Sequence, residues 1–271
     1  NYILTAMSEQ GREFEDVLAE CQKLGYAEAD PSFDIDGIDA AHKLAILAAI
    51  GFGARVDFDA VAATGIREVR AADITQAGAL DYVIRLVGIA SLDESDGAKR
   101  LLQRVRPCLV ARGHPLAAVT GPTNAVVAEG NFSGRLLFQG AGAGAGPTAS
   151  AVVADLIDIA RGDLGAPFSV PVGELDPFAP ADAGNRVGRD YIRFTVNDRP
   201  GVLAEITAAM RDAEVSIESL IQRGRDHAGG EVLVAMVTHE GPERCVTKAL
   251  DLLNGSPSLT AAPLVMPILG D

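Results

Sequence analysis

The chain has 271 residues and a formal net charge of -14, which excludes polyanions such as a nucleic-acid backbone or an anionic membrane surface as its main partners. At 48% hydrophobic and 22% charged it can build a packed core, and its length suits two ordinary domains. No apolar run approaches the roughly 18 residues of a membrane span, no signal-peptide pattern is read, and Cys21, Cys108 and Cys245 form no CxxC motif, so free thiols in a reducing cytoplasm are expected.

Tyr2, Ile3 and Leu4 open the chain as an apolar stretch, strand-like or helical. Phe14, Val17, Leu18, Cys21 and Leu24 recur at helical spacing and predict a helix within residues 8–24, stopped by Gly25. The stretch EADPSFDIDGIDAAHK (28–43) is a loop that runs into the helix DAAHKLAILAAIGFG, with Asp36 as N-cap and Gly51 or Gly53 at its end. Residues 44–50 are apolar on every side, so this helix is expected to be buried all round. Short helical or turn pieces follow around Thr64 and Asp73, then strands over 81–90 and 97–111. GHPLAAVTGPTNAVVAEG precedes a short strand, GRLLFQG. A glycine-rich turn, GAGAGAGPTAS (140–150), leads into the helix ASAVVADLIDIARG. Residues 165–188, rich in Pro, Gly and Asp, read as a linker.

Beyond it the pattern changes. YIRFTV alternates as a strand, DRPG turns it, and VLAEITAAMRDA is a helix. SIESLIQRGR and EVLVAMVTH are strands around the tight turn DHAGG, ERCVTKALDLLNG is a helix, and 259–268 supplies a last strand. The order βαββαβ is ferredoxin-like. The fold class is therefore α/β (α+β): a first domain of mixed sheet and helices over 1–168, a linker over 169–188, and a ferredoxin-like domain over 189–271.

Five carboxylates, Glu28, Asp30, Asp34, Asp36 and Asp39, crowd the loop before the apolar helix, and Lys43 closes it. As a calcium loop with Gly37 at its sixth position, the stretch needs a bidentate glutamate where Lys43 stands, and a cation there repels the ion. Acidic residues also suit the positive end of a helix dipole, which accounts for Asp36 and Asp39 but not for Lys43. On a buried helix, desolvation lowers a lysine's pKa, and Asp39 four residues earlier raises it, a balance that suits proton transfer. A site and an ordinary solvated turn both remain open on these grounds. Gly140, Gly142 and Ala145 satisfy G-x-G-x-x-[GA], but no second strand precedes Asp163, so an independent dinucleotide-binding half is not expected; the run either brings backbone close to a ligand or is a plain turn. His114 before Pro115 reads as structural more readily than as a ligand. His42, His227 and His239 have no ligand-like spacing, and no metal site is read.

LGYAEADPSFDIDGIDAAHK resembles the signature of the homoserine dehydrogenases, with every fixed position of that pattern met. HPLAAVTGPTNAV, QGAGAGAGPTASAVVADL and the opening NYIL are similar to the same family, so the resemblance runs from residue 1 to about 170. The second domain resembles an ACT domain, with NDRPGVLAEI as its first turn and helix. The resemblance implies NADP- or NAD-dependent interconversion of L-aspartate 4-semialdehyde and L-homoserine, in threonine, methionine and isoleucine biosynthesis. By position, Lys43 matches the proton-donating lysine and Asp39 the aspartate that binds substrate and holds that lysine. Glu28 matches the glutamate that grips the amino-acid end, and Asp34 lies in the same pocket. Gly25 and Gly144 match glycines that approach the nicotinamide. In the ACT domain, Asn197, Asp198 and Gly201 form the turn expected to bind an effector, with threonine the usual one in the family. A homodimer or homotetramer is implied.

The family's glycine-rich Rossmann domain, a second active-site lysine and a monovalent-cation site are not read in this sequence. The expectation is that the chain begins after them, binds NAD(P) weakly and turns over little by itself. A non-catalytic amino-acid-binding and dimerisation module is the other reading.

Overall fold

The structure, a computed structural model, describes residues 2–23, 30–94, 97–121, 123–223 and 230–270. Its helices are α1 (Tyr2–Gln10), α2 (Phe14–Lys23), α3 (Ser32–Ile35), α4 (Ile38–Phe52), α5 (Ala71–Ala79), α6 (Ala145–Arg161), α7 (Val202–Asp212) and α8 (Glu243–Leu253). Its strands are β1 (Ala62–Ala63), β2 (Tyr82–Asp93), β3 (Arg100–Ala111), β4 (Thr123–Gly130), β5 (Gly134–Ala141), β6 (Ala179–Pro180), β7 (Val187–Asn197), β8 (Ile217–Arg223), β9 (Glu231–Thr238), β10 (Gly241–Pro242) and β11 (Leu264–Leu269). The residues cluster into two compact units, one of Asn1–Arg67, Arg85–Arg106 and Arg112–Ala181, the other of Glu68–Ile84, Pro107–Ala111 and Asp182–Asp271.

In the first unit, the apolar opening is helical, and α1 buries Ile3, Leu4, Ala6 and Met7. The single helix expected over 8–24 is instead the end of α1 and the whole of α2, parted at Gly11, whose φ of 64° lies in the left-handed region that closes helices. On α4, Ala41, Leu44 and Ala45 meet Val61 and Val105, and β1 runs parallel to β3 with Ala62 opposite Arg104. Gly88 leaves room for this seam, because a Cβ there would stand 3.3 Å from Leu44 Cδ1. The Pro- and Gly-rich stretch is tied down at three points: Leu175 is buried, Asp176 bridges to Ala54, and β6 pairs parallel with β3 at Arg100. The strands β4 and β5 form an antiparallel hairpin, from Thr123 opposite Ala141 to Gly130 opposite Gly134. The helix α6 follows and buries no residue.

The second unit holds the βαββαβ order as β7-α7-β8-β9-α8-β11, in a sheet ordered β11-β7-β9-β8 with antiparallel neighbours. Strand alternation sends Ile192, Phe194 and Val196 to one face, where they pack with Ile206 and Met210 of α7 and Val246, Ala249 and Leu253 of α8. Tyr191 and Arg193 point to the opposite face. There α5 covers them, and its Asp73 is fully buried. Arg193 Nη1 lies 2.5 Å from Asp73 Oδ2 and 3.1 Å from the Glu68 carbonyl, and the Tyr191 hydroxyl donates to Asp73 Oδ1 at 2.9 Å. The Arg70 amide donates to the same carboxylate at 2.9 Å, closing the first turn of α5. Burial pushes the Asp73 carboxyl up against the pull of Arg193, and it pushes the Tyr191 phenol up as well, so that its hydroxyl stays a donor.

Candidate functional site

The acidic loop is built residue by residue. Asp30 Oδ1 accepts the Ser32 amide at 3.1 Å, and hydrogen bonding from the Ser32 side chain first and its amide second holds the Asp30 carboxyl below its ordinary value. This turn starts α3, and it gives Asp30 a role that its place before a proline did not disclose. Asp36 ends α3 and does not cap α4 as expected. The residue at that cap is Gly37, with φ 79°, and no side chain caps the helix. The Asp36 carboxylate is instead engaged by Arg67, Nε to Oδ1 at 2.5 Å and Nη2 to Oδ2 at 3.0 Å. Glycine is needed at position 37 twice over: for its positive φ, and because a Cβ would lie 3.1 Å from Val105 Cγ1.

On α4, Asp39 stands in the first turn, and Lys43 follows one turn later on the same side. Lys43 Nζ is 2.5 Å from Asp39 Oδ2, so the structure brings together the two residues picked for chemistry. The burial expected around them is absent. The Lys43 side chain is 53% exposed, and Ile46, Leu47 and Ile50 of α4 are exposed too. The helix is buried along one stripe, Ala41, Leu44, Ala45, Ala48 and Ala49, because only that side meets β1 and β3 in this unit. His42 stacks on Phe58 with centroids 4.0 Å apart and on Phe33 at 5.9 Å, which gives it a packing role beside the pair.

Asp34 lies in α3 and is exposed, with no partner for its carboxylate among the described residues. Glu28 and Gly25 fall outside the described residues. Gly144 heads α6 with φ 121° and ψ 156°, a conformation close to exclusive to glycine. A Cβ at Gly140 would meet nothing within 4 Å, whereas one at Gly142 would strike the Asn124 side chain at 2.0 Å. The turn thus leaves open space at 140, and a Cβ at 144 would meet only Pro147, at 3.6 Å. His114 is buried, and its Nδ1 accepts the Leu116 amide at 3.2 Å, a structural role. No group of three His, Cys, Asp or Glu able to hold a metal occurs among the described residues.

In the second unit, residues 196–203 line a cavity of about 160 Å³ together with Gln222 and Val234. Gly201 takes φ 98° at the head of α7, where no side chain caps the helix, and it lines the cavity together with Val202 and Leu203. The Asn197 side chain is committed to the wall, donating to the Pro257 carbonyl at 3.0 Å. Arg199 donates to Ser258 Oγ at 2.9 Å, and Ser258 in turn donates to Glu205 at 2.5 Å. Arg67, Glu205 and Ser258 escaped the sequence reading because their partners lie 31 to 59 residues away.

Fold and geometry define a class: an α/β unit with a lysine–carboxylate pair on a helix head, joined in one chain to a ferredoxin-like unit with a cavity at its first turn. The chain belongs to the homoserine dehydrogenase family: the model of that family matches residues 1–157, and the ACT-domain model matches residues 191–251. It is 42% identical over 278 residues to a homoserine dehydrogenase of Synechocystis sp., covering 99% of this chain and 63% of that protein. With that of Pseudomonas aeruginosa the identity is 41% over 261 residues, covering 93% of this chain and 59% of that protein. A crystal structure of a homoserine dehydrogenase from Thiobacillus denitrificans superposes with a TM-score of 0.86 at 37% identity, covering 99% of this chain and 61% of that one. That of Staphylococcus aureus at pH 6.0 gives 0.69 at 28% identity, covering all of this chain and 63% of its own. The chain thus spans about three fifths of the length of these relatives.

Proposed function

We propose that these residues form the substrate-binding and regulatory part of a homoserine dehydrogenase, which interconverts L-aspartate 4-semialdehyde and L-homoserine with NADP or NAD. The observation that carries this reading is the Lys43–Asp39 pair, 2.5 Å apart at the end of the family's acidic motif. A nicotinamide, when bound, would supply the hydride. The aldehyde oxygen becomes an alkoxide as the hydride arrives, and Lys43 Nζ donates the proton that makes it the alcohol. Asp39 holds Lys43 Nζ in place through their 2.5 Å contact. Glu28 matches the residue that grips the substrate's amino-acid end, Asp34 belongs to the same pocket, and Gly25 and Gly144 match glycines that approach the nicotinamide. In the full-length protein, Lys43→Ala should lower kcat on the order of 10²–10⁴-fold while leaving the dissociation constant for NADPH within about twofold. Turnover close to wild type would overturn the assignment and favour the non-catalytic module.

The 271 residues by themselves should bind NAD(P) weakly and turn over little, in keeping with their three-fifths share of the relatives' length. We place the enzyme in the cytoplasm; no helix among the described residues is long and apolar enough to cross a membrane.

The second unit is proposed to sense an amino acid, threonine first, in the cavity at 196–203, with Asp198 and the Gly201 backbone facing it. A ligand at 100 times its dissociation constant stabilises a fold by about 2.7 kcal/mol. L-threonine should therefore raise the melting temperature where L-alanine at equal concentration does not. Equal shifts would reduce this unit to an assembly role. Phe138 on β5 and Val152, Leu156 and Ile159 on α6 are half or more exposed, which supports a homodimer or homotetramer that covers them.

A further inference from the structure

The segment before α5 holds the acidic loop from three directions. Thr64 donates its amide to the Val105 carbonyl at 2.7 Å, which anchors the segment to β3. Next to it, Ile66 donates to the Ile35 carbonyl at 2.9 Å. Between them Gly65 touches the loop backbone: a Cβ there would lie 2.1 Å from Ile35 O and 2.4 Å from Asp36 Cα. Arg67 completes the grip. Its guanidinium takes both oxygens of Asp36, and Nη2 also donates to Ser32 Oγ at 2.9 Å. One planar cation thus spans α3 from its first residue to the residue just past its end. The residue after Asp36 is Gly37, the left-handed joint from which α4 departs with Asp39 and Lys43.

We infer that Arg67 is a positioning residue for the proposed reaction. Its forked pair with Asp36 and Ser32 sets where α3 and the Gly37 joint stand, and through them the orientation of the loop carboxylates relative to the Lys43–Asp39 pair. A fork of two parallel charge-assisted bonds fixes direction as well as distance, which a lysine's single point charge does not. Arg67 also neutralises Asp36, so the loop can keep its other carboxylates close together without that charge adding to their repulsion. The inference rests on the functional reading given above, and its test separates the two.

In the full-length protein, Arg67→Met should raise KM for L-homoserine about 10- to 100-fold, the scale expected for a small misplacement of binding groups, with kcat within about twofold. Arg67→Lys should recover part of the loss. Asp36→Asn should reproduce it, and the double variant should be no worse than either single one, since both remove the same bond. Hydrogen exchange should quicken in peptides covering residues 30–43 and stay unchanged in those covering β7 to β9. A fall in kcat at constant KM would mark a general loss of folded protein and overturn the inference, as would unchanged KM and exchange in Arg67→Met. No turnover in the wild-type protein would instead remove the functional reading, and Arg67's role with it.

Discussion

Asp73 and Arg193 form a buried ion pair, 0% and 3% exposed at their side chains. Such a pair gains less from Coulomb attraction than the distance suggests, because both ions have left water. Breaking it is costly, since the survivor stays buried and unmatched. Arg193→Met should destabilise the protein by about 3–5 kcal/mol in urea unfolding. Asp73→Asn combined with Arg193→Met should cost less than Arg193→Met alone, since the neutral amide still accepts the Tyr191 hydroxyl. Additive losses would show that the charges do not act as a pair. The sequence offered no sign of this partnership. Asp73 was legible only as part of a turn, and Arg193 only as a polar position in an alternating strand.

Among the elements, the turn at 197–201 shows how a loop is made into a cavity wall. Its conformation is held from the 256–258 turn through Arg199, Ser258 and Glu205. Hydrogen bonds from Ser256 and then Ser258 keep the Glu205 carboxyl below its ordinary value of 4.5. The native state therefore binds this proton less readily than the unfolded chain. Its contribution is complete above about pH 4.5 and is lost as the pH falls through the lowered value. Glu205 is close to the surface, so solvent screening keeps the contribution small. Glu205→Gln should slightly reduce the loss of stability as the pH falls below about 4.5 and weaken L-threonine binding. An acid limb identical to wild type would refute the role of this network. The helix α4 makes a related point. Its apolar content predicted burial on all sides, yet Ile46, Leu47 and Ile50 are exposed. Hydropathy reports what a helix can bury, while the neighbours decide which face is covered.

For the molecule as a whole, the boundary drawn from sequence and the grouping in space follow different logic. Composition marks a linker at 169–188, whereas the second unit also takes in Glu68–Ile84 and Pro107–Ala111. The reason is the second face of its sheet. Tyr191 and Arg193 need Asp73, and β11 takes the end of β3 as a parallel neighbour, with Ile268 opposite Leu109. A fragment of residues 182–271 retains the βαββαβ order but loses α5 and that strand. It should melt well below the 271-residue chain in calorimetry; a melting temperature equal to that of the second unit in the longer chain would refute this dependence.

The sequence by itself determined the ferredoxin-like order and the Lys43–Asp39 spacing, because both are written locally, in periodicity, in turn residues or in an i,i+4 step, and its motifs carried the resemblance to the family. Tertiary structure alone decided that Arg67 takes Asp36, that Asp73 takes Arg193, and that Glu205 braces the cavity turn. These partners are 31, 120 and 53 residues apart, and nothing local to either member of a pair specifies the other. Only the folded chain brings the charges within reach, and burial or geometry then selects which of several candidates pair.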